Sequence, residues 1–178
     1  MKIVIVMLVV GAVAFVAGLP LYVFPAHDEP RAVDAVYVIG PPTEARMELA
    51  EEMVADGLTD TIIVSLDDDP DIRRRWDEAT AVCEEPQDFT VYCSMPDPFT
   101  TRGEARWMRD LIEENGWDAV GVVTMAPHLT RTRVIMERCW DGDLAYLDSH
   151  ETMSPFVWAY QYLYQTAALI KVGLEDGC

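Results

Sequence analysis

The sequence predicts an α/β protein: a parallel sheet of about five strands with helices on both faces, preceded by one transmembrane helix. Three observations predict it. Strand-like and helix-like patterns alternate along the body of the chain. The strand segments are nearly continuous apolar runs, the pattern of strands covered on both faces. The chain also begins with a long apolar stretch that carries no charge. Behind that stretch about 150 residues remain, enough for one domain with its own core. With 51% hydrophobic and 25% charged residues, that body belongs with folded rather than disordered sequences.

Ile3 to Phe24 holds 22 positions without a charge, and a spanning helix needs ~20. Lys2 precedes the stretch and His27-Asp28-Glu29 follows it, which favours a cytoplasmic N-terminus. Gly11, Gly18 and Pro20 are tolerated in a bilayer but would weaken a soluble helix. A cleaved signal peptide is the rival. Its apolar core is usually shorter, and Phe24-Pro25-Ala26 lacks the small residue two before the last that cleavage favours. The expected division is an uncleaved signal-anchor over 1–26, single-pass in the cell membrane, and an extracytoplasmic domain over 27–178.

Pro25 to Arg31 reads as a short polar linker that spans at most about 25 Å when extended, so the domain sits near the membrane. Ala35 to Ile39 is a buried-type strand ending at Gly40-Pro41-Pro42. Glu44 to Asp56 follows as a helix stopped by Gly57. Thr61 to Ser65 and Thr90 to Cys93 are the second and third strands. Leu66 to Asp88 is ambiguous, with room for one short helix. A helix runs from Thr101 to Asn115 and stops at Gly116, and Thr101 with Glu104 has the spacing of a capping box. Ala119 to Thr124 is the fourth strand, about Leu129 to Cys139 a helix, and Asp143 to Leu147 the fifth strand. The last helix covers roughly Pro155 to Val172, with Pro in its first turn. Its aromatics Phe156, Trp158, Tyr160, Tyr162 and Tyr164 are expected mostly in the core, with some free to face a bilayer.

Beyond Lys2, 12 basic residues stand against 31 acidic ones, a net charge of −19. Such a surface repels nucleic acid and anionic headgroups, so neither is a broad-surface partner. Cys83, Cys93, Cys139 and Cys178 lack the tight paired spacing of a zinc site. In an oxidising compartment an even number suggests two disulfides. Of three pairings, Cys83–Cys93 closes a short loop and Cys139–Cys178 ties down the chain end, and this pairing is expected. Buried free thiols are the alternative if the anchor is wrong. Asp67, Asp69, Asp71 and Glu78 fall at calcium-loop positions, but Ile72 replaces the turn glycine and Arg73-Arg74-Arg75 adds positive charge. No metal site is therefore expected.

Ligands of open α/β sheets bind outside the carboxyl ends of the strands. The residues expected there are Gly40 and Arg46 after strand one, Ser65 after strand two, Thr100, Thr101 and Glu104 after strand three, and Thr124, His128, Arg131 and Arg133 after strand four. The last set places one His and two Arg at a helix start, where free amides and the helix dipole favour an anion and Arg adds bidentate donors. The plainer alternative has Arg133 pairing with Glu137 at i,i+4 while His128 merely caps the helix. Arg102, Arg106 and Arg109 read as a solvated face paired with Asp110 and Glu113. No glycine-rich phosphate loop, nucleophile elbow or dinucleotide fingerprint is present.

Asp34 to Gly40, Arg46, Ile62-Ile63-Val64-Ser65, Thr100-Thr101-Arg102-Gly103-Glu104-Ala105 and the Thr124, His128, Arg131, Arg133 block occur in an order that resembles the YdcF/SanA/ElyC-like family. The resemblance covers about residues 33–148, and the added cysteines look like an actinobacterial, membrane-anchored branch. It implies a Rossmann-like sheet behind one anchor. It also implies a role in envelope integrity, peptidoglycan-precursor or lipid-carrier metabolism, with one branch linked to S-adenosylmethionine. Gly-Pro-Pro and Ser65-Leu-Asp-Asp-Asp stand where relatives carry glycine-rich turns, so no cofactor is carried over. The expected function is cell-envelope homeostasis through binding a phosphorylated or anionic envelope ligand, such as a lipid-carrier intermediate. In an enzymatic version His128 is the general acid/base, Arg131 and Arg133 hold the anion, and Glu104 orients His128 or a water. The alternative is a non-catalytic scaffold that docks an envelope protein through its acidic face.

Overall fold

A computed structural model describes residues 2–178. The apolar N-terminal stretch forms helix α1 (Lys2–Gly18), continued by a π-helical turn over Leu19–Val23. Together they form one helix long and apolar enough to cross a membrane. The body alternates β1 (Ala35–Val38), α2 (Glu44–Ala55), β2 (Thr61–Ser65), α3 (Pro70–Arg73), α4 (Asp77–Glu84), β3 (Thr90–Ser94), α5 (Thr101–Asn115), β4 (Ala119–Thr124), α6 (Ala126–Cys139), β5 (Asp143–Asp148) and α7 (Pro155–Leu174). All five strands pair in parallel in the order β3-β2-β1-β4-β5.

Period two on the strands divides the core into two layers. Ala35, Tyr37, Ile63 and Val122 face α5 and α6, where Met108, Ile112, Leu129 and Met136 meet them. Val36, Val38, Ile62 and Val64 face α2 and α4, packing on Met47, Met53, Ala79 and Val82. Helices therefore cover both faces, as the apolar strand runs predicted. Gly57 and Gly116 take positive φ where α2 and α5 end, a backbone state that glycine adopts without a Cβ penalty. The ambiguous stretch after β2 holds two short helices rather than one, and the side chain of Asp69 caps the first by accepting from the Asp71 amide. Both expected disulfides are present. Cys83–Cys93 joins α4 to β3, and Cys139–Cys178 fastens the chain end to α6.

The linker is not a free tether. The Asp28 amide donates to the Tyr146 carbonyl and the Asp28 carboxylate accepts from the Tyr146 amide, both at 2.8 Å. Arg31 pairs with Asp143 at 2.5 Å. Pro25 to Arg31 is thus laid along β5, and Tyr22 is buried against the body. Arg102, Arg106 and Arg109 do not form the expected i,i+4 face. Arg102 pairs with Glu175 and Arg106 donates to the Cys178 carbonyl, so these cations hold the C-terminus, while Arg109 pairs with its neighbour Asp110. The expected core placement of the α7 aromatics also needs correcting. Phe156, Tyr160 and Tyr164 are exposed, because α7 buries only Gln165 and Val172.

Candidate functional site

Successive connections run outward from β1 to one sheet edge and from β4 to the other, so the switch point lies between β1 and β4, where such sheets open a crevice. A cleft of about 1160 Å³ opens there, walled by α5, α6 and α7. Gly40, Arg46, Thr100, Thr101, Glu104, His128 and Arg131 all line it. Three other expected site residues do not. Ser65 and Thr124 are fully buried beneath it, and Arg133 points elsewhere.

Arg133 misses the cleft for a helical reason. It lies two residues from Arg131, about 200° around α6. Its guanidinium sits 4.1 Å from the centre of the Tyr146 ring and donates to the Ala26 carbonyl at 3.2 Å. Glu137 lies 3.8 Å away and Asp28 3.9 Å away. Arg133 therefore fastens the linker to the body instead of joining Arg131 as an anion clamp.

Helix α6 begins three residues earlier than expected, because Pro127 fits a first turn that needs no amide there. His128 thereby lies in that turn, four residues after Thr124. Its Nδ1 is 2.9 Å from Thr124 Oγ1. Its Nε2 is 2.6 Å from Arg131 Nη2 and 3.4 Å from Thr101 Oγ1. Burial, reinforced by the charges of Arg131 and Arg46, holds His128 well below its usual range, so the ring is neutral. Nε2 accepts from the guanidinium, which assigns the proton to Nδ1 and makes Thr124 its acceptor. Both ring nitrogens are thus engaged within the protein.

Arg131 is half-buried. Nε donates to Gln165 Oε1 at 2.9 Å, Nη1 to Thr101 Oγ1 at 3.2 Å, and Nη2 to His128. None of these partners is charged. A guanidinium has five N–H donors in a planar fork, so two remain. Arg46 differs: 1% exposed, it pairs through Nε with Glu151 at 2.6 Å, and through Nη1 it holds the Ile39 and Pro41 carbonyls. It shapes the loop after β1 and leaves only Nη2 without a protein partner among the described residues.

The capping residue of α5 is Thr100, whose hydroxyl accepts from the Gly103 amide at 3.3 Å. That frees Thr101 to face His128 and Arg131, and it frees Glu104 from the capping box. Glu104 Oε1 accepts from the Gly40 amide at 2.6 Å instead, and Glu104 does not orient His128. Burial raises the Glu104 carboxyl above its usual range, opposed by the Gly40 amide, the Ser65 hydroxyl and the two arginines. The Glu104 carboxyl borders the cleft. Below it, Tyr37 and Ser65 hydroxyls share a 2.6 Å hydrogen bond. Gly103 is required by packing, because a Cβ there would lie 1.9 Å from the Pro98 carbonyl oxygen.

Glu151 and Gln165 are the functional residues that sequence reasoning missed. The Gln161/Gln165 pair, four residues apart on a mostly apolar helix, was the available signal for one of them. Glu151 offered none, since its partner Arg46 is 105 residues away.

Fold and site together define an α/β protein with a Rossmann-like parallel sheet and a cation-bearing cleft at its switch point. No protein-family profile, curated protein or solved structure matches the chain.

Proposed function

We propose that this chain is a single-pass, membrane-anchored envelope protein of the YdcF/SanA/ElyC-like kind whose extracytoplasmic domain binds a phosphorylated or otherwise anionic envelope ligand. One observation carries the reading: Arg131 is a half-buried guanidinium whose three protein partners are all neutral. Withdrawing a cation from water is costly. Glu104, the carboxyl that acts on it through space, is itself drawn toward its neutral form by burial, and an anion in the cleft supplies a charged hydrogen-bond partner. His128 supports this role by holding one edge of the guanidinium while staying neutral. Farther along the cleft Ile135, Val157, Tyr160, Tyr164, Ala168 and Val172 form an apolar wall. A charged head beside Arg131 and a hydrocarbon tail against α7 describe an amphiphile such as a lipid-carrier phosphate. Two disulfides and the apolar α1 support a domain outside the cytoplasm.

If the domain also processes its ligand, Glu104 is better placed than His128 to move a proton. Its carboxyl borders the cleft and is raised toward neutrality, whereas both His128 nitrogens are taken. A thermal-shift and turnover screen of phosphate esters with the full-length protein tests the reading. Saturable stabilisation by phosphate esters, absent with matched alcohols, is expected. An inert cleft together with co-purifying envelope proteins would instead favour the scaffold reading. A reporter fused after Cys178 tests the topology, and only an exported type should be active.

A further inference from the structure

Helix α7 has an apolar face that none of the described residues covers. Phe156, Tyr160, Leu163, Ala167, Ile170 and Leu174 recur at alternating steps of four and three, which places them on one stripe. All six are exposed, and the five larger ones are between 57% and 83% exposed. Gln165 and Val172, the buried residues, project about 180° and 160° from Phe156, on the opposite side of the helix. The centre of the stripe therefore points away from the domain, while Tyr160 and Ala167 border the cleft. Over its 20 residues α7 carries one charge, Lys171, in a chain with 31 acidic residues among 178. A water-facing helix of this acidic protein would have no reason to lack acids altogether.

The anchor shows what lies opposite. The residues of α1 before Gly18 are exposed on all sides, whereas Gly18 and Tyr22 are buried against the body. At 1.5 Å per residue the 17 residues of α1 span about 26 Å, close to the ~30 Å of a hydrocarbon core. The outer membrane boundary then falls near Gly18. That is where α7 meets the anchor: Tyr162 stacks on Phe15 with ring centres 5.4 Å apart, donates to the Phe15 carbonyl and packs over Gly18. The contact is concentrated at this one tyrosine, so the helices cross rather than run side by side. Trp158, Tyr160, Tyr162 and Tyr164 are the residue types that gather at the membrane–water boundary.

We infer that α7 lies in the outer boundary of a lipid bilayer with the Phe156–Leu174 stripe turned toward the acyl chains. Insertion is apolar rather than electrostatic, since a domain of this charge gains nothing from anionic headgroups. Tyr160 and Tyr164 also wall the cleft, so its apolar end opens at the lipid surface and an amphiphile can enter sideways from the bilayer. The inference rests on the reading of α1 as a membrane anchor.

The full-length protein has no free cysteine among the described residues, so single-cysteine variants accept one spin label each. The test reconstitutes Val9→Cys, Phe156→Cys, Leu163→Cys and Glu113→Cys into phosphatidylethanolamine/phosphatidylglycerol bilayers. It then compares relaxation of each label by oxygen, which concentrates in lipid, and by a water-soluble nickel chelate. Labels at 156 and 163 should shift toward oxygen, as at 9, while the label at 113 on α5 stays nickel-accessible. Water-like labels at 156 and 163 beside a lipid-like label at 9 would overturn the inference and leave the anchor standing. A water-like label at 9 would remove the anchor and the inference with it. Shielding from both reagents at 156 and 163 would mean that a protein surface, such as a second copy, covers the stripe, and would also overturn it.

Discussion

Helices α5 and α7 wall the same cleft and differ in what their outer faces meet. Helix α5 buries Thr101, Gly103, Glu104, Ala105, Met108, Leu111 and Ile112, and its outer face carries acids and arginines. Helix α7 buries two residues and turns an apolar stripe outward. The inward sides contribute opposite chemistry to one site: Glu104 and Thr101 from α5, the Gln165 amide and an apolar wall from α7. The outward sides differ in chemistry, charged on α5 and apolar on α7. Amphipathic pattern alone reports that a helix has two faces, but not which of them the protein covers.

The two glycines most informative about this contrast should behave oppositely. Gly103→Ala on α5 drives a Cβ against the Pro98 carbonyl, a backbone atom that cannot swing aside, and should be the largest effect, about 3 kcal/mol lost in urea unfolding at pH 7. An unchanged midpoint would mean that the α5 N-terminus is not packed as described.

The next effect is a pH slope centred on the cleft. His128 is held below its usual value of 6.5 in the folded chain, so below that pH the unfolded chain takes up a proton that the folded chain refuses. Its contribution to stability is full above about pH 6.5 and is lost as pH falls, at up to ~1.4 kcal/mol per unit. Glu104, raised above its usual 4.5, has the opposite sign: its contribution is full below that value and fades as pH rises through the raised one. Between pH 7 and pH 5, His128→Gln should flatten the loss on acidification, and Glu104→Gln should steepen it. Parallel profiles for parent and both variants would show that neither group is buried in the stated form.

The smallest effect belongs to α7. Gly173 has nothing within 4 Å of where a Cβ would stand. Gly173→Ala should therefore stabilise, by no more than about 1 kcal/mol, through helix propensity. A clear destabilisation would indicate that this end of α7 is packed against something.

The strands were legible because each is a short apolar run bounded by turn residues, and the ends of α2 and α5 because Gly57 and Gly116 mark them. That candidate residues such as Gly40 and His128 follow the carboxyl ends of strands was legible from the alternating pattern, whereas the adjacency of β1 and β4 comes from the sheet order. Three details were not. Two adjacent threonines can each cap a helix, and only the distant Arg131 decides that Thr101 faces the cleft while Thr100 caps. Arg131 and Arg133 look like a pair in the sequence, yet the helix sends them to opposite sides. The aromatics of α7 read as core because hydrophobicity alone does not say whether a residue is covered by its own chain.

The pair Arg131 and Arg133 tests the central claim most directly. Both are half-buried cations on α6, but only Arg131 lines the cleft. The decisive measurement is calorimetric titration of the full-length protein in lipid nanodiscs with farnesyl phosphate, a short amphiphile with the proposed head and tail. Arg131→Ala should remove a charge-assisted hydrogen bond of ~1.5–3 kcal/mol and weaken binding about ten- to a hundredfold, while Arg133→Ala binds like the parent. Equal affinities for all three proteins, equal loss in both variants, or no saturable binding by the parent would contradict the account.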